Sequence, residues 1–196
     1  MFNIFEWIHL IDRGIFMDMR SVFYVGDAWT SILNKEDTKA LQELCESCID
    51  YYQLHGEMDV PMNAAEELFD ELPPGKTVED KIVIGLFKAE EEIIGIIETI
   101  KGYPDHDCWF IGQMMIDPKY RGHGVGHDFY NGHEAWTYSQ GADRLRLGVL
   151  QENKRAYQFW RGLGFEKIDT RENYRIKDKV TVVYVMEKKI KRNIGK

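Results

Sequence analysis

Residues 117–130 read DPKYRGHGVGHDFY, with Gly122, Gly124 and Gly126 at alternate positions between an arginine and a helical pattern. Glycine loses more backbone freedom on ordering than any other residue, so a dense run needs a local reason. Either the chain turns sharply or something approaches the backbone closely. Upstream, the apolar run CWFIGQMMI stops at Asp117-Pro118, which breaks a strand. Downstream, Val125, Phe129, Tyr130, His133 and Trp136 recur at helical spacing toward Gly141. A strand thus feeds a helix through glycine, and a helix start offers unpaired N–H groups and the positive end of a dipole. The stretch reads as a phosphate cradle, with Arg121 as an extra cationic lid.

Spacing excludes the familiar nucleotide loops. The Gly-Lys at 75–76 precedes Thr77 but lacks the upstream glycine of a triphosphate loop. A dinucleotide loop counted from Gly122 puts His127 where its third glycine belongs, and counted from Gly124 it puts Phe129 there. A plain strand-to-helix turn needs one or two glycines, and remains the bland alternative.

Three strand-like runs, KIVIGLFKA, EIIGIIETI and CWFIGQMMI, lie close together in sequence and predict an antiparallel meander. RLRLGVL reads as a strand, NKRAYQFWRGLG as a helix, and FEKID and VTVVYVMEKK as closing strands. Before them, NKEDTKALQELCESCIDYYQLHG predicts one helix capped by Asn34 and ending near Gly56. NAAEELFDEL predicts a second, capped by Asn63, with Ala65, Leu68, Phe69 and Leu72 inward, and a further strand is expected around SVFYVG. The order α-α-β-β-β-α-β-α-β-β implies an α+β fold: a central mixed, mostly antiparallel sheet flanked by helices. One domain is expected over 20–190, followed by a basic tail at 191–196. Residues 1–19 are apolar but interrupted by Glu6, His9, Asp12 and Arg13, so they read as a short helical extension or an over-long start before Met17 or Met19.

The 33 acidic residues outnumber the 25 Lys and Arg, giving a net charge of -8, which argues against a nucleic-acid partner. No membrane partner is expected. Cys45 and Cys48 form a lone C-x-x-C, yet they share a helical stripe with Leu41, Leu44, Ile49 and Tyr52. Packing as small hydrophobes is therefore the preferred reading over a metal or redox pair. His123 and His127, at i and i+4, lack a third ligand, and no metal is expected. Three cysteines do not make a disulfide framework, and with no export signal they point to the cytoplasm.

Arg121, Gly124 and Gly126 fill R-x-x-G-x-G, and a second stretch, LGVLQENKRAYQFWRGLGF, comes later in order: a strand, Asn153, Ala156, the aromatic Trp160, then Gly164-Phe165. Over roughly residues 20–190 the chain resembles the GNAT superfamily of acetyl-CoA-dependent N-acetyltransferases. The resemblance implies acetyl-CoA as co-substrate, with its diphosphate on the main chain of Arg121, Gly122, His123, Gly124, Val125 and Gly126. It also implies a pantetheine arm in a V-shaped gap between IGQMMI and RLRLGVL, beside Met114, Met115 and Ile116, with Asn153 and Trp160 nearby. An amine then attacks the acetyl carbonyl directly in a ternary complex, and an N–H near Ile116 serves the carbonyl oxygen.

The thiolate's proton donor departs from the family pattern, because Trp160 stands where many relatives have tyrosine. Tyr157, on the same helical face as Asn153 and Trp160, is the candidate acid; the alternative is a packed or surface aromatic. Glu98, inside an apolar strand, is the candidate base if burial raises its pKa. It competes with a solvent-facing or cation-paired carboxylate, with His106 and Asp107, and with a chain of waters. The acceptor is expected to be a small-molecule or peptide amine, and Glu57, Asp59, Asp105 and Asp107 suggest a rim suited to a cationic one. A homodimer is left open. Two other functions compete: a regulatory module that binds acetyl-CoA without turnover, and transfer of another acyl group or to another acceptor.

Overall fold

The computed structural model describes residues 21–89, 92–177 and 179–190; the expected extension at 1–19 and the tail at 191–196 lie outside the described residues. The strand expected near SVFYVG is a short hairpin, β1 (Tyr24–Val25) and β2 (Ala28–Ile32), turned at Gly26 with φ of 60°. Asn34 then caps a 3-10 turn: its side chain accepts the Glu36 N–H at 2.7 Å, and its own N–H donates to Asp37 at 2.9 Å.

The single long helix expected next is two helices, α1 (Thr38–Ser47) and α2 (Ile49–Leu54), broken at Cys48 with φ -98° and ψ 35°. Leu41, Leu44, Cys45 and Cys48 are buried on one stripe. The break rotates α2 relative to α1, so Ile49 is exposed and Tyr51 turns inward beside Tyr52. In α3 (Ala64–Asp70), Ala64, Ala65 and Leu68 are buried. Phe69 and Leu72 are only half-buried, and the Asn63 side chain bonds Glu67 instead of capping.

Strands β3 (Lys81–Ala89), β4 (Glu92–Ile100) and β5 (Cys108–Ile116) form the meander at the residues the sequence indicates. Then come α4 (Val125–Ser139), β6 (Arg144–Leu150), α5 (Lys154–Gly162), β7 (Glu166–Ile176) and β8 (Lys179–Lys189). The last two strands are longer than their apolar runs because they pair with each other along a mostly exposed hairpin. The sheet order is β1-β2-β3-β4-β5-β6-β8-β7, and only the β5–β6 pair is parallel.

Both faces of the sheet are covered, which is why its central strands read as near-continuous apolar runs. One face packs Ile84, Leu86, Ile97, Trp109 and Leu147 against Phe129 and Tyr130 of α4 and Trp160 of α5. The other packs Val83, Phe87, Ile96 and Met115 against Leu41, Leu44 and Cys45 of α1 and Leu68 of α3. Each such fully buried side chain contributes about 1.5–3 kcal/mol. Among the described residues, no helix is long and apolar enough to cross a membrane.

Candidate active site

Strands β5 and β6 pair from Cys108–Arg144 to Ile111–Leu147 and no further. Beyond Ile111 the β5 edge is open, while β6 continues along β8 as far as Leu150. The direction of the open groups is set by one bond: the Asp117 N–H donates to Ile94 O on β4 at 2.9 Å. Main-chain direction alternates along an antiparallel ladder, so Gln113 and Met115 also face β4, and Met114 and Ile116 face the gap. The Ile116 carbonyl does point there, since it accepts from Arg121 Nε at 2.6 Å. The N–H groups of Met114 and Ile116 and the carbonyl of Met114 are therefore directed into the gap. Met115 contributes neither: its main chain pairs with Ile96, and its side chain is buried under α1.

The glycine stretch closes one end of this gap. Gly122 and Gly124 hold φ of 84° and 87°, values that side chains strain to adopt, and Gly124 is the N-cap of α4. The Gly124 carbonyl takes the His127 and Asp128 N–H groups at 2.9 and 3.1 Å. From Gly122 to Gly126, no main-chain N–H has a main-chain partner among the described residues. A run of free amides at a helix N-terminus is an anion site. Gly126 serves a different need from the other two, since its φ is ordinary and an added Cβ would lie 3.5 Å from Phe159.

These features meet in a cavity of about 770 Å³ lined by β5, the glycine stretch, α5 and α2. Of the residues expected there, Met115, Ile116, Arg121, Gly122, Gly124, Gly126, Asn153 and Trp160 line it. His123 is exposed and Val125 packs into the core, so neither side chain takes part. The Asn153 side chain caps α5, accepting the Ala156 N–H at 3.0 Å. Trp160 is 7% exposed, edge-on to Tyr130 and Phe165.

Arg121 does not act as a lid over the cradle. Its guanidinium forks onto Asp50 of α2, with Nη1 on Oδ2 and Nη2 on Oδ1, the latter at 3.0 Å. Asp50, Tyr51 and Leu54 of α2 form a wall that sequence reasoning misses, as it also misses His127 and Arg155. Their signal is hidden because the pattern over 34–56 presents one continuous helix, and the break at Cys48 decides which side chains of α2 turn inward.

The two catalytic candidates are not brought together. Tyr157 is absent from the cavity wall; its ring lies 5.6 Å from that of Tyr184 on β8, as in the packed-aromatic alternative. Tyr51 is the one tyrosine on the wall among the described residues. Burial and the nearby Glu98 carboxylate keep its hydroxyl protonated well above the usual phenol range. Glu98 is 8% exposed and off the wall, with Lys81 Nζ at 3.3 Å. Burial raises its pKa, and the Lys81 charge opposes that rise. Its room comes from a bulge in β5: a Cβ on Gly112 would stand 2.8 Å from the Glu98 carboxylate. Of the acids expected to form a rim, none of Glu57, Asp59, Asp105 and Asp107 lines the cavity, and Asp59 is exposed. Glu57 pairs with Lys177, and Asp105 and Asp107 pair with Arg144 at the far end of β5, where His106 is fully exposed. Cys45, Cys48 and Cys108 are free and buried, and no group of three or more metal-binding side chains occurs among the described residues.

A sheet whose parallel pair stops part-way, with a run of free main-chain amides beside the opening, is the arrangement that the sequence resemblance implies. Residues 40–165 match the Acetyltransferase (GNAT) family, and the chain belongs to that family. Over 132 residues it is 26% identical to the Bacillus subtilis protein YobR, an uncharacterized N-acetyltransferase; the match covers 65% of this chain and 48% of YobR, so the chain spans about half the length of that relative. Among solved structures, an acetyltransferase from Thermus thermophilus superposes with a TM-score of 0.65 at 18% identity, covering 85% of this chain and 99% of that one. The Vibrio cholerae spermidine N-acetyltransferase in complex with CoA and spermine gives 0.65 at 18% identity, over 84% and 96%. The Escherichia coli ribosomal-protein-S18-alanine N-acetyltransferase gives 0.61 at 17% identity, over 86% and 99%. At these identities the three structures establish the shared fold.

Proposed function

We propose that this protein transfers an acetyl group from acetyl-CoA to a primary amine by direct attack in a ternary complex. One observation carries the reading: the free amides of Gly122–Gly126 and the open edge of β5 at Met114 and Ile116 border the same cavity. The cradle suits a diphosphate, and the edge suits an amide-bearing arm laid along it as an added strand. The acetyl group then lies where β5 and β6 part, with a gap-facing N–H at Met114 or Ile116 donating to its carbonyl oxygen. The amine nitrogen attacks that carbonyl carbon, the C–N bond forms, the C–S bond breaks, and the sulfur leaves as a thiolate that must be protonated.

For that proton, Tyr51 is the better candidate than Tyr157, since it is the phenol on the wall. Glu98 is buried, off the cavity wall and paired with Lys81, which favours leaving deprotonation of the amine to water. The acceptor enters from the α2 side. The structural relatives act, by their names, on spermidine and on a ribosomal protein, so the class is a small-molecule or peptide amine. With none of Glu57, Asp59, Asp105 and Asp107 on the cavity wall, the rim gives no support for a strongly cationic one. The free, buried thiols suit a reducing compartment such as the cytoplasm, which cell fractionation tests.

The experiment is calorimetric titration of acetyl-CoA, followed by a thiol-release assay against a panel of amines. Uptake of acetyl-CoA with amine-dependent thiol release is expected. Uptake with no release from any amine favours the regulatory-module reading, which the packed Trp160 at the usual acid's position keeps in play. No uptake overturns both.

A further inference from the structure

Arg121 is the charged side chain of the glycine stretch, yet its donors are spent away from the cradle. Nε donates to Ile116 O at 2.6 Å, Nη2 to Asp50 Oδ1 at 3.0 Å, Nη1 to the other Asp50 oxygen, and Nη2 also reaches Cys48 Sγ at 3.4 Å. The Cys48 thiol itself donates to the same Ile116 carbonyl at 3.5 Å. Arg121 is 19% exposed and Asp50 54%, so solvent reaches the carboxylate more than the guanidinium. A planar fork of this kind fixes direction as well as distance. It joins three things: the end of β5 that borders the gap, the break between α1 and α2, and the first turn of α2. The other end of α2 is held too, by Lys179 donating to Leu54 O at 2.7 Å.

Resting on the acetyl-CoA reading above, we propose that Asp50 is a positioning residue. It draws Arg121 off the diphosphate and uses it to rivet α2, with Tyr51 and Leu54, against the strand that presents the thioester. The diphosphate is then held by main-chain amides, and the acceptor wall is set by the same arginine that begins the cradle. Arg121 therefore adds little to coenzyme affinity while Asp50 is present, and release of Arg121 trades acceptor geometry for an extra cation near the phosphates.

A double-mutant cycle reads both effects. CoA is titrated calorimetrically into wild type, Asp50→Ala, Arg121→Gln and the double variant, at low and high salt, with thermal unfolding as the check on folding. Arg121→Gln alone is expected to change the CoA dissociation constant less than about threefold, while Asp50→Ala tightens it about threefold to fivefold, the worth of one partly exposed charge pair. That gain should fade at high salt and vanish in the double variant. In the amine assay, Asp50→Ala should raise the acceptor KM far more than it lowers kcat, and Asp50→Glu should recover part of it. Should Asp50→Ala fold poorly, Asp50→Asn supplies the same comparison with the helix surface intact. A tenfold or greater loss of CoA affinity in Arg121→Gln alone makes Arg121 a phosphate ligand and overturns the proposal. So does Asp50→Ala with CoA affinity and acceptor KM both unmoved. Wild type that takes up no CoA overturns the reading beneath it as well.

Discussion

Lys81→Met isolates a buried ion pair inside the sheet. Lys81 has 3% of its side chain exposed and Glu98 11%, with Nζ 3.3 Å from the carboxylate. Removing one partner of a buried pair leaves the other charge uncompensated and costs about 3–5 kcal/mol. Lys81 Nζ also donates to Glu71 O at 2.5 Å, a bond worth about 1 kcal/mol. In a domain of this size each kcal/mol moves the unfolding midpoint by about 2–4 °C, so a fall of roughly 8–24 °C at pH 7 is expected. The pH dependence has a definite sign. Burial already holds the Glu98 pKa above its ordinary 4.5, and loss of Lys81 removes what opposes that rise. The folded state then binds a proton more tightly than the unfolded state, so stability falls as pH rises above 4.5. Lys81→Met should therefore recover stability between pH 7 and pH 5. Adding Glu98→Leu should restore most of the loss at pH 7 and return the pH response to the part that groups other than Glu98 set, His133 among them, leaving the deficit from the Glu71 carbonyl. Circular-dichroism melts of the three proteins at both pH values make the test. A shift under about 3 °C in Lys81→Met, or a double variant no better than the single, refutes the buried-pair reasoning.

Gly126→Ala fits the protein, its new methyl meeting Phe159 at 3.5 Å, so its unfolding midpoint should hold while CoA affinity falls about tenfold, as calorimetry reads it. Tyr51→Phe should lower kcat by about tenfold to a hundredfold with CoA affinity unchanged, whereas Tyr157→Phe should leave kcat near wild type. Equal effects of the two would return the acid to Tyr157. His133 is fully buried, with Nε2 2.7 Å from Thr99 Oγ1 and Nδ1 unpartnered, and burial pushes its pKa down to about 3. The unfolded chain binds the proton first, so this histidine's contribution is full above pH 6.5 and is lost as pH falls toward 3. His133→Gln should flatten that loss in pH-dependent unfolding.

The three meander strands and β6 occupy the residues that their apolar runs and breakers mark, because strands covered on both faces leave an unambiguous signature. The closing hairpin is undersized in the sequence pattern, since β7 is largely exposed and its pairing rests on main-chain bonds that no side-chain pattern records. The glycine stretch is legible for a related reason. Its positive φ values and free amides are properties of the local chain, set by which residues lack a Cβ.

Features that depend on near neighbours are thus readable from the chain alone: the limits of the meander strands and β6, the helix start at Gly124, and the run of free amides beside it. Which side chains share the cavity is settled only by packing in three dimensions. Arg121 meets Asp50, 71 positions away, and Lys81 meets Glu98 across β3 and β4. Tyr51 rather than Tyr157 reaches the wall because a helix breaks at Cys48. Such pairings depend on how distant segments pack, and a carboxylate seeks whichever cation the fold brings within a few ångströms, a choice that periodicity along one segment does not encode.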